Sequence, residues 1–418
     1  MSNSSSNTKK HLSDWEFIAL TAFMMSLVAL SIDMMLPALP MIGADLDVEN
    51  DNDRQMVISA FMAGMTLCQI IYGPWSDKVG RKPAVLTGSI IFLAGSMTCL
   101  LAQDFFTILT GRFLQGCGIA AMRILSITIV RDLYEGRAMA RIMSMVMSLF
   151  ILVPCIAPMA GQITISLSHW RTIFVILALA GMVVTGWYWL RQRETLSPSK
   201  RRPFNISSFY QGVRETFSYR VTLGYTLASG LIAGSFTSYL LSSQQIFQGV
   251  FNSADKFALY FAMLALVYGA ASLLNSRLVV RLGMHRLSYI AISGFIVFSI
   301  LLLGCVLWFR EELPLSLFIF LMAGYFFCLS FLFGNMNAIA MQPLGHLAGT
   351  ASSVISLVNG VISLTIGVSI GRAFNGTVIP FSIGAVVCGL ATLLTMRWAD
   401  AESQIKEEKP PLPLDEAA

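Results

Sequence analysis

Long apolar runs alternate with short polar ones along almost the whole chain. Each run approaches the ~20 residues that an α-helix needs to cross the hydrocarbon of a bilayer. They fall at residues 15–39, 55–75, 84–102, 107–130, 138–164 and 171–190, then at 220–241, 257–280, 287–308, 314–341, 347–371 and 378–397. The pattern predicts an all-α membrane protein with twelve transmembrane helices. The longest polar spacer, RQRETLSPSKRRPFNISSFYQGVRETFSY at 191–219, divides them six and six. The expected organisation is an N-terminal tail over 1–14, a six-helix bundle over 15–190, a linker over 191–219, a second bundle over 220–397 and a tail over 398–418. The Pro-rich, charged composition of that last tail predicts disorder.

Composition agrees with the pattern. Over 418 residues, 56% are hydrophobic, 12% are charged and the mean hydropathy is +0.70, well outside the range of a soluble domain. Charge then orients the spans, because Lys and Arg stay on the cytoplasmic side. With the N-terminus inside, 21 of the 28 basic residues fall on that side, against five outside: Arg54, Arg171, Lys256, Arg310 and Arg372. Both termini are expected in the cytoplasm, and the net charge of +5 then follows from topology with no nucleic-acid partner.

The seven cysteines all lie in spans without a CxxC spacing and read as packing residues. The start MSNSSSNTKKHLSD lacks the apolar core of a cleavable signal, so the first span is expected to remain as an anchor. No HExxH or clustered His occurs, which argues against an enzyme, and no GxxxxGK[ST] occurs, which argues against ATP-driven pumping. No cofactor is expected; an ion gradient, by default of protons, is the energy source.

The two halves carry a trace of repetition. SDKVGRK (76–82) after the second span parallels VVRLGMH (279–285) after the eighth, with Gly80 against Gly283 and basic residues beside each. Parallel repeats of this kind bind substrate at the midplane between halves and expose it alternately to either side.

Among the 23 carboxylates only Asp33, in ALSIDMMLPALP, lies deep within a span. An ionisable group there costs ~2.5–3.5 kcal/mol on insertion scales, so it is expected to face the interior and to have a partner. Asp33 is six residues before Leu39 at the outer end of the first span, and Arg112 is six after Phe106 where the fourth span enters. At 1.5 Å per residue both sit about 9 Å below the outer boundary. Two readings stay open, a static ion pair or a carboxylate that gains and loses a proton during transport. Low dielectric favours a neutral carboxyl group and a nearby guanidinium an ionised one, so relative movement would switch proton affinity. Protonation from outside would release substrate outward, and substrate from inside would displace the proton inward. Arg123, deeper in the fourth span, is expected to snorkel to the cytoplasmic face.

Helix breakers cluster in the first and fifth spans. Pro37 and Pro40 follow Asp33, and Pro154 and Pro158 stand four apart in VPCIAPMAG, which predicts a bend in the fifth span.

GPWSDKVGRK (73–82), LTGRFLQGCGIAA (109–121) and PCIAPMAG (154–161) together resemble three signatures of the major facilitator superfamily. With SIDMMLPALP and an acidic loop after it, the chain looks like the drug:proton antiporters of the bicyclomycin and chloramphenicol resistance branch, over roughly residues 15 to 397. The resemblance implies the major facilitator fold, a monomer in the cell inner membrane, and efflux of drugs or other amphipathic small molecules in exchange for protons. By it, Asp33 matches the proton acceptor and Arg112 the arginine of the fourth-span motif, followed by Gln115, Gly116 and Gly118. Gly73, Asp77, Gly80 and Arg81 match a cytoplasmic gating loop, with Asp77 bracing another helix end and Arg81 meeting an acid such as Asp132. Pro154, Pro158 and Gly161 match the fifth-span motif. Trp75, Ser76, Ala157 and Arg123 depart from the family pattern.

The second half offers Asn335, Asn337, Asn359, Phe236, Tyr239, Tyr260 and Phe261 as a surface suited to amphipathic molecules. Met34, with Met24, Met25 and Met35, would either make the pocket deformable or serve as packing or lipid-facing residues. Export of one endogenous metabolite, such as a siderophore, amino acid or sugar, remains the alternative, and an uncoupled facilitator would need no coupling acid.

Overall fold

The apolar runs fold as helices because a bilayer leaves no water to satisfy backbone amides, so every N–H and C=O must pair within its own segment. The computed structural model describes residues 12–201, 211, 213–309 and 312–408. Twelve long helices follow one another among them: α1 Asp14–Asp33, α2 Met56–Val79, α3 Arg81–Leu100, α4 Phe105–Leu133, α5 Gly136–Leu167, α6 Arg171–Arg191, α7 Arg220–Gln244, α8 Phe257–Leu282, α9 Met284–Phe309, α10 Leu315–Met341, α11 Ala348–Arg372 and α12 Ile379–Glu408.

Eleven of the described helices are long and apolar enough to cross a membrane, α1 being counted with the short helix Leu39–Asp45 that continues it. The exception is α7, VTLGYTLASGLIAGSFTSYLLSSQ, rich in Ser, Thr and Gly and buried along nearly its whole length. A helix enclosed by other helices does not need an apolar lipid-facing surface, and small residues let its neighbours approach closely.

The packing of the first six helices recurs in the last six. α4 packs on α2 and α3, α1 on α5, and α3 on α6; likewise α10 packs on α8 and α9, α7 on α11, and α9 on α12. The junctions repeat too. Gly80 (φ 109°) and Gly283 (φ 76°) each link consecutive helices, and their N–H groups close back onto Ser76 O at 2.9 Å and Val279 O at 3.0 Å. A side chain would be strained at that φ, which is why glycine stands at both turns. Between the halves, α2 lies against α11 and α5 against α8.

α5 runs as one helix through Pro154 and Pro158. The chain breaks its helix in the first span, after Asp33. The chain after Arg397 is not a loose tail throughout, since α12 runs on to Glu408. Asp400 explains the extension: it is 8% exposed and its Oδ2 accepts from Tyr225 and Tyr289 hydroxyls, both at 2.9 Å, anchoring that end of α12 to α7 and α9. Residues 409–418, and most of the N-terminal tail, lie outside the described residues.

Candidate functional site

Asp33 is the last residue of α1, and the sequence explains why the helix stops there. Pro37 stands four residues later and has no N–H to give to the Asp33 carbonyl. The chain tightens: Met35 N bonds Ile32 O at 3.2 Å, Leu36–Ala38 forms a 3₁₀ turn, and a helix resumes at Leu39–Asp45. The i+3 bond of Met35 frees the Ser31 carbonyl, which would otherwise accept from it.

Arg112 of α4 takes that carbonyl. Its Nη2 donates to Ser31 O at 2.9 Å, its Nε to Val57 O of α2 at 3.0 Å and its Nη1 to Gln115 Oε1 at 2.8 Å, while the guanidinium stacks over Phe61 at 4.5 Å. Gln115 Nε2 continues the chain to Ser96 Oγ of α3 at 2.7 Å. A cation at the carbonyl end of a helix is electrostatically favoured, so Arg112, fully buried, ties the broken end of α1 to α2, α3 and α4.

Asp33 and Arg112 are therefore neighbours through Ser31 and make no ion pair. The Asp33 carboxylate, 5% exposed, has no hydrogen bond or ion pair among the described residues. The 3₁₀ turn that follows it packs on α7, where the buried Tyr239 hydroxyl has no hydrogen-bond partner among the described residues. That contact connects the broken helix of the first half to a helix of the second.

Glycines make this geometry possible. A Cβ on Gly116 would lie 2.0 Å from Phe61 O, and one on Gly118 2.2 Å from Phe92 N, so α4 meets α2 and α3 backbone to backbone. Gly161 does the same at the break, where a Cβ would come within 2.2 Å of Met34 O. Pro158, three residues earlier on α5, is buried, and Pro154 is half-buried.

At the other end of α2, Arg81 Nη1 donates to Asp77 Oδ1 at 2.5 Å and Ser76 Oγ at 2.6 Å, and its Nε to Asp132 Oδ2 of α4 at 2.9 Å. Asp77 thus serves its own half. Sequence reasoning missed Glu194, whose carboxylate accepts the backbone N–H groups of Arg81 and Lys82, each at 2.9 Å, and so caps α3. The acid follows α6 in the linker, where only a charge count could have flagged it. Gly73 faces Ser353 of α11.

The candidate pocket residues divide. Met34, Met24, Met25 and Met35 are all buried packing residues of the first half. Tyr239 and Phe261 are buried and stacked on each other at 5.9 Å, Tyr239 meets Phe326 edge-on at 4.9 Å, Phe236 meets Phe326 at 6.0 Å, and Tyr260 stacks on Phe247 at 5.8 Å. Phe236, Tyr239, Phe261 and Phe326 thus form one aromatic cluster. The asparagines come together across helices: Asn335 Nδ2 donates to Asn275 Oδ1 at 3.0 Å, Asn359 Nδ2 to Asn337 Oδ1 at 3.2 Å, and Ser229 Oγ to Asn359 Oδ1 at 2.9 Å.

Hydrogen bonds between the two halves cluster at the end of α2 opposite Arg81. Asn52 Nδ2 donates to Arg372 O at 3.1 Å and Phe374 O at 2.8 Å, and Gln55 Nε2 to Gly371 O at 3.2 Å and to Gln245 Oε1. Gln245 Nε2 returns to Asn52 Oδ1 at 2.8 Å, and Arg372 Nη2 bonds Asp53 Oδ1 at 3.0 Å. A π-helical turn, Gln245–Val250, presents Gln245 at the end of α7. Beside this latch lies a recess of about 450 Å³ lined by Pro40, Arg54, Gln244 and Gln248 among others.

A sequence model of the Major Facilitator Superfamily matches residues 21–368. The chain belongs to the major facilitator superfamily. It is a multi-pass membrane transporter and not an enzyme.

Similar proteins include an uncharacterized MFS-type transporter, YdgK, of Bacillus subtilis, 29% identical over 88% of this chain and 94% of the relative. A bicyclomycin resistance protein homolog of Haemophilus influenzae is 28% identical over 89% of this chain and 93% of its own length. The multidrug resistance protein MdtL of Shewanella oneidensis is 27% identical over 85% and 89%. The fold is shared with a bacterial homolog of the human lysosomal transporter Spinster in an inward-facing, occupied conformation (TM-score 0.70, 15% identity, 94% of this chain and 98% of that one). It is shared also with the Escherichia coli xylose transporter XylE in a partially occluded inward-open conformation (TM-score 0.70, 11% identity, 92% and 97%).

Proposed function

We propose that the transporter exports drugs or other amphipathic small molecules across the cell inner membrane in exchange for protons, by alternating access between its two bundles. In this reading it belongs to the bicyclomycin and chloramphenicol resistance branch, α7 crosses the membrane as the twelfth span, and both termini and the Arg81 turn face the cytoplasm. The latch around Gln55 then closes the outer side.

The observation that carries the reading is Asp33: a carboxylate within a span, at a break in α1, with no ion-pair partner among the described residues, beside a turn that packs on α7 of the opposite bundle. A carboxyl group so placed is free to take a proton, and rocking of α7 would change its surroundings. The relatives named for bicyclomycin and multidrug resistance support drugs as the cargo. Arg112 would act by holding the broken end of α1, so that loading of Asp33 moves the helix as a unit. The Arg81, Asp77, Asp132 and Glu194 cluster would brace the cytoplasmic turn.

Growth inhibition across a panel of toxic compounds, in an efflux-deficient bacterium with matched expression, tests both cargo and coupling. Wild type should protect against several unrelated compounds and Asp33→Asn against none. Equal protection by Asp33→Asn would remove the proton-site assignment. Absence of any protection by well-expressed wild type would leave export of a single metabolite as the better account.

A further inference from the structure

A second charge lies inside the fold, and helix register fixes where it points. A Cβ on Gly116 would touch both Phe61 O and Met65 N, so Met65 of α2 is level with the Gly116–Cys117 step of α4. Arg123 begins six residues past Cys117, roughly 9 Å further toward the Arg81 end at 1.5 Å per residue. Yet its Nη1 lies 3.6 Å from Met65 Sδ. The side chain is therefore extended back toward the start of α4, the direction in which helical Cα–Cβ bonds lean. Snorkelling to the cytoplasmic face would require the opposite direction. The guanidinium meets no carboxylate within ion-pair distance among the described residues, and its side chain is accessible although it lies deep among the helices.

The opposite bundle has polar groups at the same level. A Cβ on Gly360 of α11 would lie 2.6 Å from Thr66 Cγ2, next to Met65. Asn359 precedes that glycine, and its amide is held by Asn337 and Ser229. Asn337 and Asn359 are both half-exposed. One unpaired guanidinium on the first bundle and a pair of amides on the second thus stand at one depth, between helices that must part and close.

An unpaired guanidinium in a span is costly, and a planar fork of donors is matched best by an oxyanion with two acceptor oxygens. We propose that Arg123, with the Asn337 and Asn359 amides of the opposite bundle, binds the oxyanion of the transported molecule, so that the cargo class is amphipathic organic anions such as aromatic carboxylates. The inference rests on the transport reading above and narrows its substrate class.

The test titrates purified full-length protein in detergent with 2-naphthoate and with its neutral isostere 2-naphthamide, following tryptophan fluorescence. Wild type should bind naphthoate roughly tenfold or more tightly than naphthamide, the scale of a charge-assisted hydrogen bond. Arg123→Gln should weaken naphthoate to the level of naphthamide and leave naphthamide unchanged, and Arg123→Lys should restore part of the difference. Equal affinity of wild type for the two probes overturns the proposal whatever the variants do, and so does an Arg123→Gln variant that weakens both alike. Liposomes with an imposed pH gradient separate the two readings. Charge-selective binding with no gradient-driven flux of naphthoate or ethidium keeps the anion site and removes proton-coupled export. Gradient-driven ethidium flux without a preference for naphthoate keeps export and removes the anion site.

Discussion

Arg112 shows how a single residue was both legible and misread. Matching depths along the first and fourth spans pairs it with Asp33, and the two are indeed neighbours. The bonds, however, go to the carbonyls of Ser31 and Val57 and to Gln115. Side-chain patterns cannot reveal a backbone carbonyl that becomes free only because Pro37 breaks the helix. The assignment has a testable consequence. Arg112→Met leaves the buried Ser31 carbonyl without its donor, a loss of about 1–3 kcal/mol, and Arg112→Lys supplies a point charge that cannot reach three acceptors. Thermal unfolding in detergent should fall in the order wild type, Lys, Met, with gradient-driven efflux lost in both variants. A Met variant as stable as wild type would show that the Ser31 carbonyl finds another partner and that Arg112 does not hold the break.

At the scale of helices, most of the chain was readable because a bilayer enforces one length and one composition. The apolar runs mark all twelve helices, most ends to within a few residues, apart from an end such as Glu408, where polar contacts carry a helix beyond the run. Only α7 falls short of a membrane-crossing composition, because it is enclosed along nearly its whole length. Pro154 and Pro158 suggested a bend that does not interrupt α5, whereas the break in α1 is set by Pro37. Gly161 connects the two. A methyl group added there would lie 2.2 Å from Met34 O, so Gly161→Ala forces α5 off the break or shifts Met34. Both movements displace Asp33, one residue before Met34. The variant should therefore lose proton-driven efflux more severely than Gly136→Ala on the same helix, where nothing lies within 4 Å of the added methyl group. Gly136 has φ 54°, so its alanine carries backbone strain of its own, which makes the comparison strict. Efflux rates normalised to membrane expression decide it, and an unimpaired Gly161→Ala would separate α5 from the proton site.

For the molecule as a whole, the repeat was visible in seven residues around Gly80 and Gly283, and the shared packing map of the halves explains why so little sequence needs to be shared: helices long enough to cross a bilayer and packed in the same order give the same map with many side chains. What the sequence did not reveal is where the halves are fastened. Asn52, Gln55 and Gln245 are ordinary polar residues at helix ends until the bundles bring them together. Their bonds, with those of Arg372 and Asp53, hold one end of the molecule shut, while no comparable set joins the bundles at the Arg81 end among the described residues. Removing the side chains in Asn52→Ala/Gln55→Ala deletes five of these bonds. At about 0.5 kcal/mol each that is near 2.5 kcal/mol, or roughly a sixtyfold to seventyfold shift between closed and open states at the latch. Spin labels on exposed Glu49 and Lys256, in a cysteine-free background, report the separation of the bundles at that end. The double variant should move their distance distribution to longer values and lower the affinity for substrate presented from the Arg81 side, since a two-state rocker that opens one end closes the other. An unchanged distribution would mean that helix packing alone keeps this end closed and that the polar latch only decorates it.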